Sequence, residues 1–205
     1  YRFSQLEDPS PKTVTITFDD GYYNNRLFKD LAQRYEIPYL VFVSSYYTQS
    51  GVGFPWLEAD SATYAGMHDF DYYQHFAHGQ ETSGNREIQT RSGDERPMTF
   101  DDLTQMLGDG LSEIGCHGYY HQPLSEKYQQ HLPDERDLGF NALHDNLGIS
   151  PRYYALANGM YIKPVVRQLL DTFDRVLTID GRPYRPKDQV IHRFTLVNPH
   201  LGGPL

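Results

Sequence analysis

Six short apolar runs, separated by segments of helical period, constrain this chain more than any other feature of its sequence. The run at 13–18, Thr-Val-Thr-Ile-Thr-Phe, alternates and is β-branched, which predicts a strand. Comparable runs stand at 39–44, 111–116, 152–157, 175–179 and 190–197. Between the first two, Leu27, Phe28, Leu31, Ala32 and Tyr35 recur at helical spacing until Pro38 closes the segment. Thr99-Phe100-Asp101-Asp102 has capping-box form with Asp in place of Glu, and opens a helix through Leu103, Met106 and Leu107. Residues 134–147 predict a further helix ended by Gly148, and 164–173 another with Val165, Val166, Leu169 and Leu170 inward. Strands alternating with helices mean βα units and a parallel sheet. Five or six such units are too few for an eightfold barrel. At 205 residues the chain reads as one domain, 1–205, long enough to bury a substantial core. Only 45–97 breaks the pattern. It is rich in Gly, Ser, Tyr and acids, and predicts an irregular insertion that walls a cleft.

Two strand ends carry chemistry. Asp19 and Asp20 follow the first run and precede Gly21. Neighbours on a strand point to opposite faces, so both acids reach one cavity only if the chain turns there, which Gly21 permits. Carboxylates held that close repel unless a cation or a shared proton intervenes. His117 and His121 follow the third run. Four residues apart, they would share one face of a helical turn, close enough to bind one metal ion. Asp20 with His117 and His121 makes a two-histidine, one-carboxylate set with coordination positions left open. Zn²⁺ suits that set, and Co²⁺ or Ni²⁺ would also fit.

These residues resemble the polysaccharide deacetylases of the NodB-homology type, in their exopolysaccharide branch. T-F-D-D-G stands complete at 17–21, and H-[S/T]-x-x-H stands at 117–121 with Gly118 at the Ser/Thr position. The stretch 35–43, Y-E-I-P-Y-L-V-F-V, resembles the family's second strand, and the Met98-Thr99-Phe100 and 113–117 segments resemble its approach to the histidines. The resemblance spans roughly 13–197 and implies a distorted, incomplete (β/α) barrel. It also implies removal of acetyl groups from N-acetylated sugar units of a polysaccharide or glycolipid, with Asp19 as general base. The third motif departs from the commonest pattern: 154–159 reads Y-A-L-A-N-G, so the arginine that normally orients the base is missing from its place. Arg152 or Arg193 could replace it. The closing L-x-H motif normally supplies the general acid. Val190-Ile191-His192 fits it loosely, and His192 is the expected acid, with Arg193 the alternative because only one of two strand neighbours can enter the cleft. Trp56 and the Tyr72-Tyr73 pair are candidate sugar platforms, and Tyr119 and Asn158 candidate substrate contacts. An O-acetyl esterase remains open, since the same water attack serves an ester. So does a carbohydrate-binding pseudoenzyme, which the missing arginine favours.

Composition narrows the partners. A net charge of −9 argues against a general nucleic-acid binder. No apolar run approaches the ~20 residues of a membrane span. The single Cys116 excludes an intrachain disulfide. No leader is visible, although a processed segment could have carried one, and cell-envelope and cytoplasmic settings both stay open. Seventeen tyrosines leave aromatics to spare for stacking on sugar rings. His68, His75 and His78 in the insertion read as surface residues.

Overall fold

A computed structural model of the protein describes residues 14–54, 93–182 and 188–195. Six strands pair in sequence order, each parallel to the next: β1 (Ile16–Phe18), β2 (Tyr39–Val43), β3 (Ser112–Cys116), β4 (Tyr153–Ala155), β5 (Arg175–Thr178) and β6 (Val190–His192). They form a curled half-barrel, an incomplete (β/α) barrel such as the resemblance implies. Among the described residues five α-helices accompany them: α1 (Phe28–Tyr35), α2 (Ser45–Ser50), α3 (Phe100–Leu107), α4 (Gly139–Leu147) and α5 (Lys163–Leu170).

The period of two divides the core into two layers. Val41, Val43, Ile114, Cys116, Tyr154 and Val176 face the helices, where they meet Ala32, Leu103, Met106, Leu143, Val165 and Leu169. Leu40, Phe42, Tyr153, Ala155, Leu177 and Ile191 pack on the concave face. All five residues of β2 are buried, which is why its sequence is apolar without alternation. Helix α3 starts where Thr99 and Asp102 form a reciprocal capping box. The cap contributes about 1 kcal/mol, while fully burying Leu103 and Met106 contributes about 1.5–3 kcal/mol each. Packing therefore holds this helix and the cap decides where it begins.

Several elements differ from the sequence reading. In α1, Phe28 and Ala32 pack inward, but Leu27, Leu31 and Tyr35 are exposed. The helix flanks β1 at the edge of the sheet, so the sheet covers only one of its sides. The expected irregular stretch opens instead with α2, which buries Tyr47 and Thr48. The segment 134–147 begins with one turn of π-helix, Asp134–Leu138, before α4. The last run is regular only from Val190 to His192. Trp56, Tyr72, Tyr73, His68, His75 and His78 lie outside the described residues. No helix among the described residues is long and apolar enough to cross a membrane.

Candidate active site

The site lies at the C-terminal ends of the strands. After β1 the chain turns sharply, with Asp20 at φ 70° and Gly21 at φ 89°. Three backbone bonds hold that turn: Gly21 N–H donates to Asp19 C=O (2.9 Å), Ser44 N–H to Asp20 C=O (3.2 Å) and Met98 N–H to Gly21 C=O (2.9 Å). Four non-glycine residues among those described have positive φ: Asp20, Glu36, His121 and Asn158. Two of the four are candidate metal ligands. Left-handed backbone persists only where its surroundings enforce it, and it concentrates at functional positions.

After β3 come His117 and His121, both buried. They do not share a helical turn, as their spacing suggested. Residues 117–121 are irregular, with Gly118 at φ 81° and His121 at φ 63°. His117 Nδ1 lies 2.9 Å from the Ala155 carbonyl oxygen. A carbonyl can only accept, so Nδ1 carries the proton and Nε2 presents its lone pair to the cavity. That Nε2 is 3.3 Å from Asp20 Oδ1, and His121 Nε2 is 3.1 Å from the same oxygen. The three donor atoms lie within 4.8 Å of one another. One carboxylate oxygen and two imidazole nitrogens, one of them with its tautomer fixed by a backbone carbonyl, fit a divalent cation.

The electrostatics of the pocket favour positive charge. Burial pushes the Asp20 carboxyl up, but His121 and His117 outweigh it and hold the group well below the usual carboxylate range. Burial likewise opposes ionisation of Asp19, and the Arg193 guanidinium beside it wins. For His117 burial favours the neutral ring, yet Asp19 and Asp20 together raise it above the ordinary histidine value.

Arg193, just past β6, donates Nη1 and Nη2 to the two oxygens of Asp19 at 2.6 and 2.8 Å, a bidentate pair. Its Nη1 also donates to Thr17 Oγ1 (3.0 Å), and its guanidinium lies 5.3 Å from the Phe42 ring centroid on the concave face. The sequence reading gave Thr17 no role beyond opening the T-F-D-D-G motif, although alternation puts it on the same face as Asp19. His192 faces the other way. Its Nδ1 lies 2.8 Å from Thr178 Oγ1 and 3.1 Å from Asp180 Oδ2, while Tyr161 O–H also donates to Asp180. Arg193 thus reaches Asp19, whereas the ring of His192, the expected acid, is bonded to Thr178 and Asp180. Arg152 is also ruled out as the missing arginine, because it pairs with Asp174 on the surface.

Asn158 is exposed, at φ 53° in the turn after β4. Tyr119 is half-buried and packs against Tyr46 and Tyr120, with ring centroids 5.7 and 4.7 Å away. The residue most clearly missed from the sequence is Glu135, fully buried behind the histidines. Burial pushes its carboxyl up to about 8, against the backbone N–H groups that pull it down. Its helical surroundings gave it the pattern of a surface acid. The one available signal was Gly118, a missing side chain where the family carries Ser or Thr.

The sequence matches the polysaccharide deacetylase family over residues 7–172. No curated protein matches it by sequence. By fold it is similar to IcaB from Ammonifex degensii, at 20% identity and TM-score 0.64, covering 98% of this chain and 77% of that one. It is similar to a de-N-acetylase from Aggregatibacter actinomycetemcomitans at 14% identity and TM-score 0.63, with 95% and 76% covered. The BpsB deacetylase domain from Bordetella bronchiseptica aligns at 16% identity and TM-score 0.58, with 90% and 71% covered. With the family match running through both motif-bearing strand ends, and the half-barrel shared with these structures, the chain belongs to the polysaccharide deacetylase family.

Proposed function

We propose that the protein is a metal-dependent hydrolase that removes N-acetyl groups from sugar units of a polysaccharide or glycolipid. One observation carries this reading: Asp20, His117 and His121 converge beside a second carboxylate, Asp19, that a guanidinium holds in place. Asp20 Oδ1, His117 Nε2 and His121 Nε2 would hold the cation, with zinc the best match and cobalt or nickel also suited. Bound there, it would polarise an acyl carbonyl and lower the pKa of water.

The remaining chemistry belongs to the chain. Asp19 Oδ2 stands 3.9 Å from His117 Nε2, so the carboxylate borders the same cavity without being needed as a ligand. Arg193 keeps Asp19 ionised and fixes its plane, which leaves its outer lone pairs free to take a proton from water. The arginine absent from the third motif is thereby supplied from the end of β6. An arginine on the proposed base supports turnover over a binding-only pseudoenzyme. His192 does not face this cavity, and the proton for the leaving nitrogen is assigned to a group other than His192. Tyr119, with Tyr46 and Tyr120, offers an aromatic surface in the histidine loop for a pyranose face, and Asn158 remains a candidate contact at the rim.

The test is acetate release from N-acetylglucosamine oligomers and from acetylated xylan, before and after removal of metal. Release from the amide substrate, abolished by chelation and restored by zinc or cobalt, is expected. Release from the xylan alone would make the protein an esterase, and full activity of rigorously metal-free protein would end the metal reading.

A further inference from the structure

The loop that carries the two histidines is held by contacts from two sides. Its carbonyl groups face α2: Ser44 Oγ donates to His117 C=O, Ser45 N–H to Gly118 C=O, Tyr46 N–H to Tyr119 C=O, and Tyr47 O–H to Tyr120 C=O, at 3.0–3.4 Å. His117 N–H donates to the Val43 carbonyl (2.9 Å), and two further N–H groups turn to a single side chain. Tyr120 N–H donates to Glu135 Oε1 at 2.9 Å and Gln122 N–H to Glu135 Oε2 at 3.2 Å. These two bonds flank His121, the residue whose left-handed φ turns its ring toward Asp20.

Two glycines make this approach possible. A Cβ on Gly118 would overlap Glu135 Oε2 and stand 3.1 Å from the Tyr154 hydroxyl. A Cβ on Gly139 would stand 2.9 Å from Cys116 Sγ and 3.0 Å from the Gly118 carbonyl carbon. Glu135 itself sits in the π-turn, an irregularity that is frequent at functional sites. We infer that Glu135 is the positioning residue of the histidine pair, its carboxylate occupying the space that a side chain at 118 would take and setting the backbone that aims His121 at the metal. This rests on the metal site proposed above. Outer residues that orient metal ligands typically contribute about 10–100-fold to affinity.

Zinc titration of metal-free protein, with the absorption spectrum of the cobalt form, tests it. The variants are Glu135→Gln, Glu135→Ala, Gly118→Ala and the Gly118→Ala/Glu135→Ala pair, and circular dichroism of each metal-free protein checks the fold. Glutamine keeps the shape but turns an N–H against one of the two loop N–H groups. Glu135→Gln should therefore fold, bind zinc about 10–100-fold more weakly and shift the cobalt spectrum. Gly118→Ala should lose at least as much, and adding Glu135→Ala should recover part of that loss by vacating the space the Cβ needs. Wild-type zinc affinity and cobalt spectrum in folded Glu135→Gln overturn the inference and leave the metal site standing. If Glu135→Gln fails to fold, the glycine pair decides: no recovery in the double variant overturns it. Wild-type protein that binds zinc no better than His121→Ala overturns the metal site as well.

Discussion

The turn after β1 and the loop after β3 both bend a chain through left-handed backbone to aim candidate metal ligands, yet they are held by different means. The turn at Asp20 is fixed by three backbone-to-backbone bonds, from Gly21, Ser44 and Met98. The loop at His121 also receives backbone bonds, from Ser45 and Tyr46, but the two N–H groups that flank His121 depend on one side chain, Glu135. Backbone bonds survive substitution of the residues that make them, and a side-chain acceptor does not. The first half of the site is therefore robust to mutation around it, and the second is exposed to a single change.

The largest effects should come from the ligands themselves. Asp20→Asn and His121→Ala should each abolish zinc binding by calorimetry. Each should reduce turnover by roughly 10³-fold or more, since several kcal/mol of charge stabilisation go with the cation. If Asp20→Asn retains zinc, the turn does not aim a ligand and the comparison has no basis.

Next is Asp19→Asn. It should keep zinc at nearly wild-type affinity and lose about 10²–10⁴-fold in kcat, the usual contribution of a general base. Equal loss of metal in Asp19→Asn and Asp20→Asn would show that the two roles are misassigned. Arg193→Ala should follow the same pattern at smaller size, about 10–100-fold in kcat, less than loss of the base itself. His192→Ala should leave kcat within about threefold, because its ring bonds Thr178 and Asp180, away from Asp19. A large loss of amide hydrolysis in His192→Ala would restore it as the acid.

The smallest effect on the site, and the sharpest test of the contrast, comes from Asp102. It accepts from Arg26 (2.5 Å), Arg96 (2.9 Å) and Thr99 N–H (2.9 Å), and so ties α3 to the 93–98 segment that braces the first turn. Asp102→Asn should cost roughly 1–3 kcal/mol of stability while zinc affinity stays within about threefold. Burial pushes this carboxyl up, but the bonds from Arg96 and Thr99 outweigh it and leave it below 3.8. Its stabilisation is then present above pH 3.8 and fades as pH falls through the lower folded value. The gap in melting temperature between wild type and Asp102→Asn should accordingly narrow below about pH 4. A gap that widens on acidification would contradict the pairing.

The fold was legible in the sequence because strand and helix periods alternate cleanly and β2 is apolar at every position. The convergence of Asp20, His117 and His121 was legible because their residue types and spacing are unusual. Three things were not. The faces of His192 and Arg193 depend on the register of a three-residue strand, where a slip of one position exchanges them. The histidine loop was taken for a helical turn because i, i+4 spacing cannot reveal that the backbone bonds go to a distant carboxylate. Glu135 itself carries no periodic mark, since an acid among helical residues normally faces solvent.

The ion pair between Arg193 and Asp19 joins residues 174 positions apart, one just after the first strand of the sheet and the other just after the last. During synthesis the candidate metal donors at 20, 117 and 121 exist long before residue 193 emerges. Asp19, the proposed base, lacks its guanidinium partner until β6 has docked, and closing so long a chain segment is late and entropically costly. A nascent or truncated chain could therefore gather a metal ion while its base remained unarmed. Hydrolytic competence would then appear only with the completed sheet.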